Sequence, residues 1–194
     1  MRDYIRLTGV LLIVCIIAAG VLGVTNAVTS DKIAEQAVKT NDEARREVLS
    51  EATDFIKVEG DKIDQILAKP DYDVIEEVFE GEVDGQTVGY AIKTTPKGYG
   101  GAIEIIIGID KEGKVRGIKV GNNTETPGLG KNAATPKFQE QFKDKDWDKG
   151  VKLIKNGTPK DNEVLSIAGA TKTSNAVIKG VNQALKLAKE LSGI

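Results

Sequence analysis

Between Leu7 and Ser30 the chain carries no charged residue, and Val10 to Val24 is almost wholly aliphatic. As a helix rising about 1.5 Å per residue, this run spans roughly 36 Å, enough to cross a ~30 Å hydrocarbon core with some tilt. The competing fate for such a run is removal as a signal peptide, for which Thr25-Asn26-Ala27 is a passable small-x-small site. The run is long for a secretory apolar core, so the uncleaved anchor is the expectation. Arg2 and Arg6 precede the run and Asp31 is the first charge after it. That bias puts the N-terminus in the cytoplasm and the rest of the chain outside it, on a single-pass protein of the cell (inner, cytoplasmic) membrane.

The residues left for chemistry are few. There is no histidine, which removes imidazole bases, haem ligation and the commonest metal ligand. The one cysteine, Cys15, lies inside the apolar run, so the remainder can form neither a disulfide nor an iron–sulfur site, and no metal site is expected. A formal charge of −2 with four Phe, four Tyr and one Trp argues against a nucleic-acid partner. No acid–base catalytic constellation is visible. A chain like this handles electrons only with an organic cofactor.

From Asp31 to about Lys69, Ile33, Ala37, Ala44, Val48, Leu49, Ala52, Phe55 and Ile56 keep a helical period, with Gly60 breaking it before a short second helix. Tyr72 onward changes to strand patterning: Val74–Phe79 and Thr87–Thr95 around Asp84-Gly85 form a hairpin. Ile103–Ile109 is nearly continuous aliphatic, as for a strand buried on both faces, and Lys114–Val120 returns beside it. A short helix presenting Phe138 and Phe142, strands at Val151–Ile154 and Glu163–Ile167, and a helix to about Leu191 complete the chain. The expected class is α+β: one transmembrane helix (1–30), a membrane-proximal helical segment (31–70) and one domain (71–194). That domain is a mainly antiparallel sheet flanked by helices.

Just before the last helix stands Ile167-Ala168-Gly169-Ala170-Thr171-Lys172-Thr173-Ser174. Small residues leave the backbone open to close approach, and a hydroxyl follows at once. Thr173 and Ser174 are the expected N-caps. A hydroxyl at a helix N-terminus suits a phosphate, because free N–H groups and the dipole both favour negative charge; the same residues also suit a plain loop and cap.

Gly169-Ala170-Thr171-x-Thr173-Ser174 resembles the flavinylation motif of the extracytoplasmic FMN-binding domain. That domain occurs in the G subunit of Rnf electron-transport complexes and the C subunit of Na⁺-translocating NADH:quinone oxidoreductases. The family motif reads roughly Asp-x-x-Ser/Thr-Gly-Ala-Thr; here Leu165 and Ala168 replace its Asp and its Ser/Thr. Glu125-Thr126-Pro127-Gly128-Leu129-Gly130 and Gly98-Tyr99-Gly100-Gly101 are similar to two further segments of the family, in the same order.

The resemblance implies covalent FMN in a phosphoester to Thr171, with Gly169, Ala170, Ala168 and Thr173 around the attachment. It implies further contacts from Glu125, Thr126, Gly128, Leu129, Tyr99 and Gly100, with Leu129 against the ring and Thr126 near its polar edge. It further implies an electron-relaying subunit, not a free-standing dehydrogenase, among other membrane subunits of an Rnf complex that couples ferredoxin:NAD⁺ electron flow to Na⁺ or H⁺ translocation. A flavin transferase using FAD and Mg²⁺ would mature it. The short chain and single span resemble the Rnf subunit more than the larger quinone-oxidoreductase one. A non-redox anchored scaffold, with residues 169–174 only a loop and cap, is the alternative from another class.

Overall fold

The computed structural model describes Arg2 to Gly193. Helix α1 runs from Arg2 to Val48. Its stretch Arg6–Ser30 is long and apolar enough to cross a bilayer, and its large apolar side chains from Leu7 to Val28 are exposed. The chain forms two compact units, 1–42 and 43–194. The first is helical from Arg2 onward, with Lys39 paired to Glu35 one turn earlier at 3.0 Å.

The second unit opens with the end of α1. The helix expected from Asp31 toward Lys69 stops at Val48, and Asp54–Lys57 forms strand β1 at a sheet edge. Thr53, Phe55, Ile56 and Val58 favour extended backbone, and pairing of β1 with its neighbour (Asp54 opposite Glu82, Lys57 opposite Phe79) satisfies their N–H and C=O groups. Helix α2, Asp61–Leu67, follows. Then β2 (Ile75–Val83), β3 (Gln86–Thr94), β4 (Ile103–Asp110) and β5 (Val115–Asn123) run as an antiparallel meander in the order β1–β5. Asp84 (φ 51°) and Gly85 (φ 74°) both take the left-handed conformation that a two-residue hairpin turn needs.

Period-two alternation gives the sheet two different faces. On one, Ile103, Ile105, Ile107 and Ile109 join Val78, Tyr90 and Ile92 in the main core. Helix α4, Thr171–Leu191, lies over this face and buries Val177, Val181, Ala184, Leu185 and Ala188. On the other face Ala91, Gly108 and Gly117 stand in register across β3, β4 and β5. That row of missing side chains seats the last turn of α1: a Cβ on Gly108 would collide with the Val48 carbonyl oxygen. Ala44 and Val48 pack on Ile106, Arg45 stacks 3.9 Å over the Phe79 ring, and Glu47 pairs with Lys119 at 2.7 Å. Further along, Lys93 is buried between Glu104 (3.3 Å) and Glu76 (3.4 Å). Burial pulls its ammonium pKa down, and the two carboxylates outweigh that and hold it above the usual lysine value.

Thr94 is wholly buried, and its Oγ1 has no hydrogen-bond partner among the described residues; a Cβ on Gly180 of α4 would lie 2.6 Å from it. A buried hydroxyl without a partner costs stability, so Thr94→Val is expected to stabilise by about 1 kcal/mol and raise Tm by roughly 2–4 °C. A thermal melt of the paired proteins checks this, and a lower Tm would mean the hydroxyl is satisfied.

After β5, helix α3 (Pro136–Gln139) and a 3-10 turn (Glu140–Phe142) place Phe138 and Phe142 in the core, edge to face at 5.4 Å. Strands β6 (Lys152–Ile154) and β7 (Glu163–Leu165) make a separate parallel pair, and β7 leads toward the start of α4.

Candidate functional site

The segment between β7 and α4 is a tight, self-bonded turn. Gly169 takes φ +73°, where a side chain would be strained, and the Ala170 N–H donates to the Ile167 carbonyl at 3.0 Å. Helix α4 begins at Thr171 with Ala170, not Thr173 or Ser174, in the N-cap position. The two hydroxyls expected to cap sit buried inside the first turn because each has another partner. Ser174 Oγ donates to the Ala170 carbonyl and accepts from the Ile167 N–H, both at 3.0 Å, locking the loop onto the helix. Thr173 Oγ1 donates to Glu125 Oε2 at 2.5 Å.

Glu125 is the junction of the site. It is 3% exposed, and among the described residues no cation forms an ion pair with it; its partners are neutral donors. Oε1 accepts the Gly100 N–H at 2.8 Å while Oε2 holds Thr173. A Cβ on Gly98 would strike Oε1, and one on Gly130 would strike Oε2 and lie 2.8 Å from Thr173 Oγ1. Glycine at these positions is what lets one carboxylate touch the 98–101 turn, the 125–130 segment and the first turn of α4 together. Thr124 adds a strut, its hydroxyl donating to the Gly100 carbonyl at 3.1 Å.

Around this clasp the other candidates divide. Tyr99 (73% exposed) and Leu129 (42% exposed) present apolar surface to solvent. A Cβ on Gly169 would come within 3.0 Å of Leu129 Cδ2, so Leu129 reaches over that glycine. Thr126 and Gly128 shape the loop: the Thr126 carbonyl accepts from the Leu129 and Lys131 N–H groups, and the Gly128 carbonyl accepts from Asn132 Nδ2 at 3.0 Å. Ala168 is exposed and lines a cleft of about 420 Å³ with Phe138, Gln141, Leu165 and Ile167. The two departures from the flavinylation motif, Leu165 and Ala168, thus face one cleft.

Thr171 is half-exposed, and its hydroxyl makes no hydrogen bond among the described residues. The first helical bond of α4 runs from the Ser174 N–H to the Ala170 carbonyl. The N–H groups of Thr171, Lys172 and Thr173 therefore precede the ladder and keep their donor capacity. Lys172 places its Nζ 5.7 Å from the Tyr99 ring centroid. A hydroxyl without a hydrogen bond, open N–H groups, a positive helix end and a bare glycine form a set that fits a phosphate monoanion or diester. Among the described residues, no group of three or more acidic or cysteine side chains is placed to hold a metal.

Sequence reading missed two parts of this arrangement. It took Glu125 and Thr173 as separate cofactor contacts, where the structure bonds them to each other. It gave Lys172 no role. The signal for the first was the set of glycines at 98, 100 and 130 flanking one acid; for the second, a lone cation in a helical first turn that contains no acid.

Residues 98–186 match the FMN-binding domain family. Over 189 residues the chain is 37% identical to the G subunit of the Na⁺-translocating ferredoxin:NAD⁺ oxidoreductase complex of Acetobacterium woodii, covering 94% of this chain and 90% of that one. The G subunit of the proton-translocating ferredoxin:NAD⁺ oxidoreductase complex of Clostridium ljungdahlii is 31% identical over 183 residues, covering 94% and 90%. Among solved structures, the C subunit of the Na⁺-translocating NADH-quinone reductase of Parabacteroides distasonis superposes with a TM-score of 0.55 at 25% identity, covering 73% of this chain and 78% of that one. The NqrC of Shewanella oneidensis, at 19% identity and a TM-score of 0.53 (65% of this chain, 71% of that one), shares the fold. This chain belongs to the G-subunit family of ion-translocating oxidoreductase complexes.

Proposed function

We propose that the chain is a membrane-anchored electron carrier holding FMN in a phosphoester to Thr171, working among other membrane subunits of an ion-translocating ferredoxin:NAD⁺ oxidoreductase. The observation that carries this reading is the Thr171 hydroxyl, free of hydrogen bonds at the open N-terminus of α4 and beside a glycine at φ +73°. Attachment is a transfer from FAD: a bond forms between Thr171 Oγ1 and the FMN phosphorus, the phosphoanhydride bond to AMP breaks, and the hydroxyl proton passes to a base of the flavin transferase. Bound FMN supplies the redox chemistry.

The chain's own residues bind and orient. The N–H groups of Thr171 to Thr173 receive the phosphate, Leu129 and Tyr99 offer apolar surface for the ring, and Glu125 fixes the spacing of the three segments. The charge bias around α1 supports an N-terminus in the cytoplasm and a domain outside, where a dissociated cofactor would be diluted away and a covalent bond would retain it. The coupling ion, Na⁺ in one relative's name and the proton in another's, is a property of the whole complex.

The test is colour that survives denaturation. Protein coexpressed with a flavin transferase and precipitated with acid should keep its yellow flavin in the pellet. A colourless pellet beneath a yellow supernatant points to noncovalent FMN, and a colourless protein throughout to the scaffold alternative.

A further inference from the structure

A cation in the first turn of a helix opposes the macrodipole, and Lys172 stands there with no acid in that turn. The carboxylate of the site, Glu125, is committed to Gly100 and Thr173, and among the described residues no ion pair is formed by Lys172. Its ammonium is turned instead over the Tyr99 ring at 5.7 Å, a contact worth little on a side chain that is 73% exposed.

We infer that Lys172 is the counter-charge of the phosphodiester formed on Thr171, so that an unfavourable cation in the unloaded protein becomes a favourable ion pair in the loaded one. The inference rests on the Thr171 reading and adds a residue to it. The phosphodiester brings one negative charge to the residue next to Lys172, at a helix end whose N–H groups already point outward. In the unloaded state the helix end and the ammonium repel each other. Loading reverses the sign of the local field that the lysine meets. A lysine with a purely structural role would stabilise both states alike; this one discriminates between them.

The experiment compares thermal midpoints of unloaded and FMN-loaded full-length protein in detergent, for the native chain, Lys172→Gln and Lys172→Arg, with loading followed to completion by intact mass. Unloaded Lys172→Gln should melt no lower than native, whereas its rise in Tm on loading should be smaller by roughly 1–4 °C. Lys172→Arg should recover the native rise, and added salt should shrink the native rise toward that of Lys172→Gln.

An equal rise in native and Lys172→Gln protein, or an equal loss in both states, overturns the inference. If Lys172→Gln fails to load while Lys172→Arg loads, the positive charge is required and the inference stands. If both fail to load, the lysine serves recognition by the transferase and the inference falls. A native protein that takes no covalent FMN fails at the earlier step and overturns the Thr171 reading itself.

Discussion

Glu125→Ala is expected to lower the thermal midpoint of the domain by roughly 6–12 °C, the equivalent of about 3 kcal/mol, and to reduce flavin incorporation at the proposed Thr171 attachment with it. The carboxylate accepts from Gly100 at 2.8 Å and from Thr173 at 2.5 Å while only 3% exposed, so truncation takes the acceptor from two donors, of which Thr173 is itself buried. Hydrogen bonds to a charged acceptor contribute more than neutral ones, about 1.5–3 kcal/mol each, and part of that gain is offset by the cost of burying the charge. Glu125→Gln keeps the shape and one acceptor oxygen, so it should fall between Ala and native. Calorimetry of the three proteins gives the ordering; an Ala variant that melts like native would show that the segments 98–101, 125–130 and 171–173 are held by something other than this clasp.

Gly108→Val costs about 3 kcal/mol or more and loosens the end of α1 from the sheet. The added Cβ would meet the Val48 carbonyl oxygen and stand 2.6 Å from its carbonyl carbon and 3.1 Å from the Leu49 nitrogen, all backbone that cannot rotate out of the way. Overpacking of this kind is relieved only by lifting the helix end, which would also uncover Ile106 and part the Glu47–Lys119 pair. Hydrogen exchange over residues 44–52 should accelerate in Gly108→Val. Gly121→Ala, whose Cβ would meet nothing closer than 3.6 Å, is the control and should stay near native. Native-like protection in Gly108→Val would mean that the row Ala91–Gly108–Gly117 is not what seats the helix.

Much of this was legible in the sequence for definite physical reasons. The aliphatic run of β4 signals burial on both faces, Asp84-Gly85 signals a two-residue turn, and the meander follows from short links. The end of α1 was not legible, because residues 49–56 keep apolar positions compatible with a helical period while their β-branched and aromatic members pair with β2; tertiary pairing decided the outcome. The caps of α4 were misplaced for a similar reason. Thr173 and Ser174 satisfy the local preference for an N-cap, yet a buried carboxylate far off in sequence and the Ile167 N–H claim their hydroxyls. Lys172 carried no pattern at all, since a single cation acquires meaning only from what surrounds it.

The measurement that bears most directly on the account is the intact mass of detergent-purified protein coexpressed with a flavin transferase, beside Thr171→Ala prepared the same way. The account predicts a gain equal to FMN minus water in the native chain and an unmodified mass in the variant. An unmodified native chain, or a variant that still gains the flavin, would contradict it.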